Sequence, residues 1–154
     1  MKEMFLDLAK YRVQRAFETK ADAAILLKSD KLAEAVNRIY YANFYAVKGL
    51  LATKMQDSSK HQIVLQTFHS SFVQAGQVPR EFGLIIERSN CSRDEGGSHQ
   101  EHRKPVSRAE ADSLIAECEK FLCFAKDFLK TLAANDPGTS GEKALVDKES
   151  GMKS

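Results

Sequence analysis

The strongest constraint on the fold is an amphipathic run near the C-terminal end of this chain. Ser107 and Glu110 form an S-x-x-E capping box at its start, the usual signature of a helix N-terminus. Apolar residues then recur at three- and four-residue spacing: Leu114, Ile115, Cys118, Phe121, Leu122, Ala125, Phe128, Leu129 and Leu132. The run predicts a long helix, and its apolar face is stable only if other helices cover it.

The same periodicity predicts four helices before this one. They cover residues 3–28, residues 31–54, a segment that ends at Gly76, and a segment that begins at Pro79. Asp30 is placed to cap the second helix, because a short carboxylate can accept the unpaired N–H groups of a first turn.

Local signals also mark the third and fourth helices. Ser59 and Gln62 form a capping box at the start of the third helix. Pro79 suits the first turn of the fourth helix, where a missing N–H costs nothing. We expect this helix to lose definition near residues 89–92, three of which are polar.

The sequence predicts no regular secondary structure other than helices. There is no period-two alternation, internal repeat or hairpin dipeptide that would predict a β-sheet. With 154 residues the chain fits one domain, so we expect an all-α antiparallel bundle of four to five helices over residues 1–134. Residues 135–154 are polar and have few apolar anchors, and we expect them to form a disordered tail.

Composition limits the functional classes. No apolar run approaches the ~18 residues that a membrane-spanning helix needs, and the N-terminus lacks the apolar core of a secretory signal. Three cysteines, an odd number, are more typical of reduced thiols than of disulfides, so we expect a cytoplasmic protein. The net charge of +2 is too small to indicate nucleic-acid binding by itself. Any contact with RNA must depend on the local placement of charge.

One polar break in the helical pattern contains residues suited to phosphate chemistry. The segment RDEGGSH runs from Arg93 to His99. An arginine fork can hold a phosphate through two parallel hydrogen bonds, and an imidazole exchanges protons near neutral pH. RNA cleavage by the ribose 2′-hydroxyl needs both roles. The segment therefore indicates a candidate phosphate-handling site.

The second helix and the segments after it carry a recognisable pattern. Its strings are AVNRIYYANFYAVKGLL (residues 35–51), SSKHQIVLQTF (residues 58–68) and the arginine after the fourth helix. Together they resemble the HEPN domain, and more narrowly the small stand-alone bacterial and archaeal HEPN proteins. The resemblance covers about residues 3–132 and leaves the tail uncovered.

The resemblance implies a helical bundle that forms homodimers and carries an arginine, a polar residue and a later histidine. Arg93, Asp94 and His99 match this motif, with five residues between the arginine and the histidine. In active members the motifs of two protomers face each other and form a metal-independent endoribonuclease, so these three residues are the candidate catalytic residues, with no metal or cofactor. Many stand-alone members are toxins encoded beside a minimal nucleotidyltransferase antitoxin, which implies such a partner here.

Five further residues are candidates for binding RNA or a nucleotide. Arg38, Tyr41 and Tyr45 lie along one side of the second helix, where aromatic rings and a cation could contact bases and phosphates. Lys60 and His61 open the third helix, whose free N–H groups attract anions. The alternative for the tyrosines is a seam of the bundle with buried rings and hydrated hydroxyls.

Catalysis is not the only function that this pattern allows. Close stand-alone relatives often have a tyrosine where this chain has Ser98, and Gly96 and Gly97 join the motif arginine to the histidine through flexible backbone. The alternative is a non-catalytic HEPN module that binds a nucleotide or a partner protein. The sequence leaves open whether the protein is an enzyme.

Overall fold

The computed structural model of this protein describes residues 2–93 and 105–135, and every regular element in those ranges is helical. The helices are α1 (Lys2–Lys28), α2 (Leu32–Ala52), α3 (His61–Phe68), α4 (Arg80–Arg93) and α5 (Arg108–Asn135). The expected all-α antiparallel bundle is confirmed for these ranges. Residues 136–154 lie outside the described residues, so the expected tail and the domain boundary stay predictions.

The central element is α2, which packs against all four other helices. Most of its side chains after residue 34 are buried. Gly49 permits the close approach of α1, because a Cβ at this position would lie 2.9 Å from Val13 Cγ2 and 3.1 Å from the Ala9 carbonyl oxygen. Phenylalanines from the later elements fill the opposite side of the core: Phe68, Phe72, Phe82, Phe121, Phe124 and Phe128.

Three helical segments end in the same kind of turn, which depends on one left-handed residue. These residues are Asp30 (φ 62°), Met55 (φ 57°) and Gly76 (φ 84°). In each turn the left-handed residue donates its N–H three residues back, and the next residue donates five residues back. This pair of bonds is the Schellman motif, which satisfies the last carbonyls of a helix.

The expectation that Asp30 caps α2 is wrong. The N-cap residue is Lys31, and it makes no side-chain cap bond. Asp30 is the left-handed residue that closes α1, and its Oδ1 lies 3.5 Å from Arg108 Nη2 at the start of α5. The carboxylate therefore connects two helix ends instead of capping the helix after it.

The capping box predicted from Ser59 and Gln62 is also wrong. The first residue of α3 is His61, and Lys60 occupies the N-cap with extended backbone (φ −96°, ψ 119°) and no side-chain cap bond. Ser59 therefore lies one position too early to accept a first-turn N–H.

The third predicted helix does not continue unchanged to Gly76. Its α-helical part ends at Phe68, and a π-helical turn (His69–Val73) follows. Phe68 and Phe72 are both buried, with ring centroids 6.0 Å apart. A π-helical turn holds more residues per hydrogen-bonded ring than an α-helical turn, and apolar spacing alone does not reveal the difference.

The loss of definition expected near residues 89–92 does not occur, and α4 continues through both serines. The Ser89 hydroxyl donates to the Ile86 carbonyl oxygen at 3.0 Å and accepts a bond from Asn43 Nδ2 at 3.1 Å. The Ser92 hydroxyl donates to a Glu110 carboxylate oxygen at 2.7 Å. These polar side chains join α4 to α2 and α5, so they stabilise the helix instead of ending it.

Half of the capping box predicted for α5 is confirmed. The Ser107 hydroxyl accepts the Glu110 N–H at 3.0 Å. The Glu110 carboxylate makes its bond to Ser92 on α4 instead of closing the box. The first turn of α5 is thereby tied to the last turn of α4.

The described part of the chain contains no helix that is both long and apolar enough to cross a membrane. All three cysteines are free thiols; Cys118 is buried, and Cys91 and Cys123 are exposed. Burial raises the pKa of the Cys118 thiol to about 12.

Candidate functional site

Two adjacent tyrosines of α2 form the base of the candidate site. Tyr40 is almost fully buried, while Tyr41 is half-buried. Their ring centroids lie 5.2 Å apart with nearly perpendicular planes. Both rings contact side chains from α3 and α4, so the base is shared by three helices.

Arg93, the last residue of α4, lies over this aromatic base. Its Cζ is 4.3 Å from the centroid of the Tyr40 ring and 5.9 Å from that of Tyr41. Its Nη2 donates to Asn90 Oδ1 at 3.1 Å. A guanidinium is attracted to the negative face of an aromatic ring, and it also favours the negative end of the helix dipole. Both effects hold the arginine fork at this corner of the bundle.

His61, the first residue of α3, also contacts Tyr40. Its Nδ1 is 3.4 Å from the Tyr40 hydroxyl oxygen, and its ring stacks on Phe44 with centroids 4.1 Å apart. Burial, followed by the positive charges of Arg93 and Lys48, lowers the pKa of His61 below the ordinary 6.5. The imidazole is therefore oriented by an aromatic neighbour and favoured in its neutral form.

A groove of about 630 Å³ runs beside this cluster between α3 and α4. Its volume is in the range of small-molecule sites. Side chains with amide, imidazole or carboxylate groups border a partly apolar floor: Gln62, Gln66, His69, Glu87 and Asn90 around Leu65, Phe68 and Ile86. Arg93, Tyr40 and His61 also line the groove, so the cationic fork and the imidazole face the same space.

The binding candidates on α2 form a row of cation–aromatic pairs. Arg38 Cζ is 5.4 Å from the centroid of the Tyr41 ring, and Arg15 Cζ of α1 is 5.3 Å from that of Tyr45. Because Tyr41 also contacts His61, the row joins the candidate site at this residue. Tyr45 lies farther along α2 and pairs with α1 instead.

Lys60 precedes the imidazole and is exposed. Its backbone N–H donates to the Ser58 hydroxyl at 3.1 Å. Of the groups at the start of α3, the side chain of His61 is therefore the one that the structure connects with Arg93 through Tyr40.

Two of the three candidate catalytic residues, Asp94 and His99, lie outside the described residues. The structure brings Arg93 together with His61, Tyr41 and Arg38, and their catalytic or binding roles stay predictions. Sequence reasoning missed Tyr40 and Asn90. The two adjacent tyrosines of the α2 pattern could have pointed to Tyr40. Asn90 lies in a segment that was expected to lose its helical structure.

Comparisons with known proteins agree with this architecture. The family model of the HEPN domain matches residues 9–128. A UPF0332 protein of Thermotoga maritima is 46% identical over 81 residues, which cover 53% of this chain and 61% of that protein, less than two thirds of its length. A protein of Methanocaldococcus jannaschii named a putative toxin is 34% identical over 120 residues, 78% of this chain and 87% of that protein. A second protein of that organism with the same kind of name is 30% identical over 135 residues, 82% of this chain and 90% of that protein. No solved structure matches the chain.

Proposed function

This chain belongs to the HEPN domain family, and from that membership we propose that it is a toxin-type endoribonuclease that cleaves RNA without a metal ion. The catalytic residues are Arg93, Asp94 and His99, contributed by both protomers of a homodimer. The names of the two Methanocaldococcus relatives support the toxin-type role. A minimal nucleotidyltransferase is the proposed antitoxin.

The observation that carries this proposal is the position of Arg93. The guanidinium lies 4.3 Å from the centroid of the Tyr40 ring, and the two residues line one groove together with His61. Fixed positive charge at the site of a developing phosphorane is usually the largest single contribution to such a reaction. An arginine that stacking and a hydrogen bond have already oriented loses less entropy when it binds a phosphate.

The proposed reaction is attack of the ribose 2′-hydroxyl on the adjacent phosphorus. The bond from phosphorus to the 5′-oxygen breaks, giving a 2′,3′-cyclic phosphate and a 5′-hydroxyl. Arg93 stabilises the charge on the phosphoryl oxygens, Asp94 orients the arginine or an imidazole, and His99 exchanges a proton with the reacting oxygens.

The row of cation–aromatic pairs on α2 supplies a path for the RNA strand. Bases can stack on Tyr41 and Tyr45, because aromatic stacking tolerates any base. Arg38 provides positive charge beside the first of these rings, and Lys60 adds an exposed positive charge next to His61. This arrangement favours single-stranded RNA, whose bases are free to stack on side chains.

The test is cleavage of a single-stranded oligoribonucleotide by the purified protein in excess EDTA. We expect cleavage by the wild type and its loss in both Arg93→Ala and His99→Ala. Arg80→Ala, at the opposite end of α4, is the matched control and should cleave normally. Full activity of the Arg93→Ala and His99→Ala variants, or dependence on an added divalent metal, would refute the proposed mechanism.

The homodimer and the antitoxin require separate measurements. Sedimentation of the purified chain at micromolar concentration should give twice the mass of 17.2 kDa. Induction of the chain in bacteria should arrest growth, and co-expression of a minimal nucleotidyltransferase from the same genome should restore it. A strictly monomeric protein would exclude a site shared by two protomers.

The groove supports a second candidate function, binding of a nucleotide without cleavage. Its amide side chains can bond to a base while Arg93 contacts a phosphate at one end. A ligand that binds only the folded state must raise the melting temperature. A rise with ATP or AMP, in a protein that leaves RNA intact, would favour this second function over catalysis.

A further inference from the structure

One tyrosine fixes the positions of both Arg93 and His61. The guanidinium lies over the face of Tyr40, with Cζ 4.3 Å from the ring centroid, and the imidazole Nδ1 lies 3.4 Å from the hydroxyl oxygen of the same ring. Tyr40 is 1% exposed, so its rigid ring has little freedom to move. The phosphate-binding fork and the imidazole are therefore held together by one buried side chain, although they come from two helices.

The contact with Tyr40 engages Nδ1 of His61 and leaves Nε2 for other partners, and the tautomer of the ring decides which of the two residues donates. When the Nδ1–H donates to the tyrosine hydroxyl oxygen, Nε2 carries the free lone pair and can accept a proton. The same Nδ1–H···O bond persists after Nε2 is protonated, so Tyr40 orients both forms of the ring. This arrangement resembles the general pattern in which a hydrogen bond at one ring nitrogen prepares the other.

The surroundings of the imidazole favour a neutral ring. The charged and titratable groups near it are Lys48, Tyr40 and Tyr41 on α2, Arg93 on α4 and the adjacent Lys60, and His69 and Glu87 also line the groove. Burial, followed by the charges of Arg93 and Lys48, lowers the pKa of His61. A neutral imidazole near pH 7 can act as a general base.

We propose that His61 is a catalytic residue of the RNA cleavage, accepting the proton of the ribose 2′-hydroxyl at Nε2, with Tyr40 as its positioning residue. The inference rests on the proposed function and adds His61 of α3 to the motif as a second histidine. The 2′-oxygen bonds to phosphorus as its proton moves to His61, and the bond to the 5′-oxygen breaks. His99 gives a proton to the departing 5′-oxygen, so protons and electron pairs balance.

Steady-state cleavage of one fluorescent oligoribonucleotide in EDTA tests this assignment. The variants are His61→Asn, His61→Ala, Tyr40→Phe and Arg93→Ala, with Tyr11→Phe as the control for the tyrosine change because Tyr11 is 62% exposed. The amide nitrogen of asparagine can replace Nδ1 in the bond to Tyr40 but cannot accept a proton near neutral pH. His61→Asn therefore tests the chemistry while it preserves the packing contact.

We expect His61→Asn to lower kcat by roughly 10²-fold, the lower end of the usual contribution of general base catalysis, with little change in KM. Tyr40→Phe should lower kcat less, and it should shift the acidic limb of the pH–rate profile because the ring loses its hydroxyl partner. Free imidazole should restore part of the rate of His61→Ala and none of that of Arg93→Ala. A purely structural role would not produce this chemical rescue.

The possible failures are distinguishable. Wild-type kcat in His61→Asn, with Arg93→Ala inactive, would overturn the role of His61 and leave the proposed function standing. No cleavage by the wild type would overturn both. If His61→Ala melts below the assay temperature, the kcat and KM of His61→Asn decide the question.

Discussion

The guanidinium of Arg93 stacks on the ring of Tyr40, with Cζ 4.3 Å from the ring centroid, and this contact joins the end of α4 to the middle of α2. The ring supplies a buried and rigid platform, because Tyr40 is 1% exposed. Stacking of this kind depends on the planar form of the guanidinium as well as on its charge. The position of the proposed phosphate-binding group is therefore a property of the bundle core.

Arg93→Lys tests whether planarity matters. Lysine keeps the positive charge but loses the fork that bonds a phosphate through two parallel N–H groups. We expect kcat for RNA cleavage to fall by roughly 10²-fold, similar to the loss of one transition-state donor. The measurement is kcat and KM in EDTA, with Arg80→Lys on the same helix as the control. Equal activity of Arg93→Lys and wild type would show that a point charge suffices.

The number and order of the helices could be predicted from the sequence because they depend on apolar spacing. The expected bounds of the first two helices also lie within two residues of α1 and α2. The turns that close these helices could not be predicted, because two of the three Schellman turns use residues other than glycine, Asp30 and Met55. The hydrogen bonds of a turn impose the left-handed conformation there, against the local preference of the side chain. Sequence rules detect only the third turn, at Gly76, whose residue adopts that conformation at low cost.

The contacts of the candidate site, like the helix-ending turns, could not be predicted from the sequence. Arg93 is recognisable from its motif, but only one of the groups that hold it, Asn90, is a near neighbour in the chain, and Tyr40 belongs to another helix. Tyr40 and His61 are 21 residues apart, and their contact depends on how α3 packs on α2. Periodicity places each residue on a helix and does not say which residue of another helix it meets.

Met55→Gly should stabilise the fold. Met55 has φ 57° and is 59% exposed, so its left-handed backbone is strained and little burial of its side chain offsets that strain. A non-glycine residue in this conformation costs roughly 1 kcal/mol. Replacing it with glycine removes this cost, but part of the gain is lost because glycine has more conformational entropy in the unfolded chain. The free energy of unfolding measured in urea should therefore rise by about 0.5 kcal/mol. Gly76→Ala, at φ 84° with open space around a new Cβ, should lose about 1 kcal/mol.

The stability of the fold should depend on pH through His61. Its pKa in the folded protein is lowered from 6.5, first by burial and then by Arg93 and Lys48. As the pH falls through the ordinary value, the unfolded chain takes up a proton more readily than the folded chain, so folding becomes less favourable. The loss levels off once the pH is below the lowered pKa as well.

Melting temperatures of the wild type and of His61→Asn, measured from about pH 8 to pH 5, test this pH dependence of stability. Wild type should lose more stability than the variant below pH 6.5, and the two curves should run parallel above it. Other groups with shifted pKa values, such as Asp57, are present in both proteins and cancel in the difference. Parallel curves throughout would show that His61 does not titrate differently on folding.

Gly49 and Gly83 should respond in opposite directions to the same substitution. An alanine Cβ at Gly49 meets Val13 Cγ2 at 2.9 Å and the Ala9 carbonyl oxygen at 3.1 Å, whereas at Gly83 the nearest atom is Val73 Cγ2 at 3.6 Å. Overpacking costs about 1–3 kcal/mol, and alanine gains roughly 1 kcal/mol over glycine within a helix. Chemical denaturation should therefore show Gly49→Ala destabilised and Gly83→Ala stabilised. Equal shifts would mean that α1 can move away from α2 without cost.

Ser89 and Asn43 should show strong coupling in a double-mutant cycle. Asn43 is fully buried, and its Nδ2 donates to the Ser89 hydroxyl at 3.1 Å. Ser89→Ala removes this acceptor from a buried amide, a change that usually costs about 1–3 kcal/mol. In an Asn43→Ala background the same serine change should cost less, because the amide that needed the acceptor is gone.

Urea unfolding of the wild type, the two single variants and the double variant gives the coupling energy directly. We expect the free energy of unfolding of the double variant to exceed, by about 1 kcal/mol or more, the value obtained by adding the two single effects. Ser92→Ala, whose hydroxyl bonds to Glu110 on α5, serves as the control and should add to Asn43→Ala without coupling. Additive effects of Ser89→Ala and Asn43→Ala would show that the hydrogen bond does not stabilise the contact between α2 and α4. Clear coupling would show that this buried bond joins the helix of Tyr40 to the helix of Arg93 only one turn before the arginine itself.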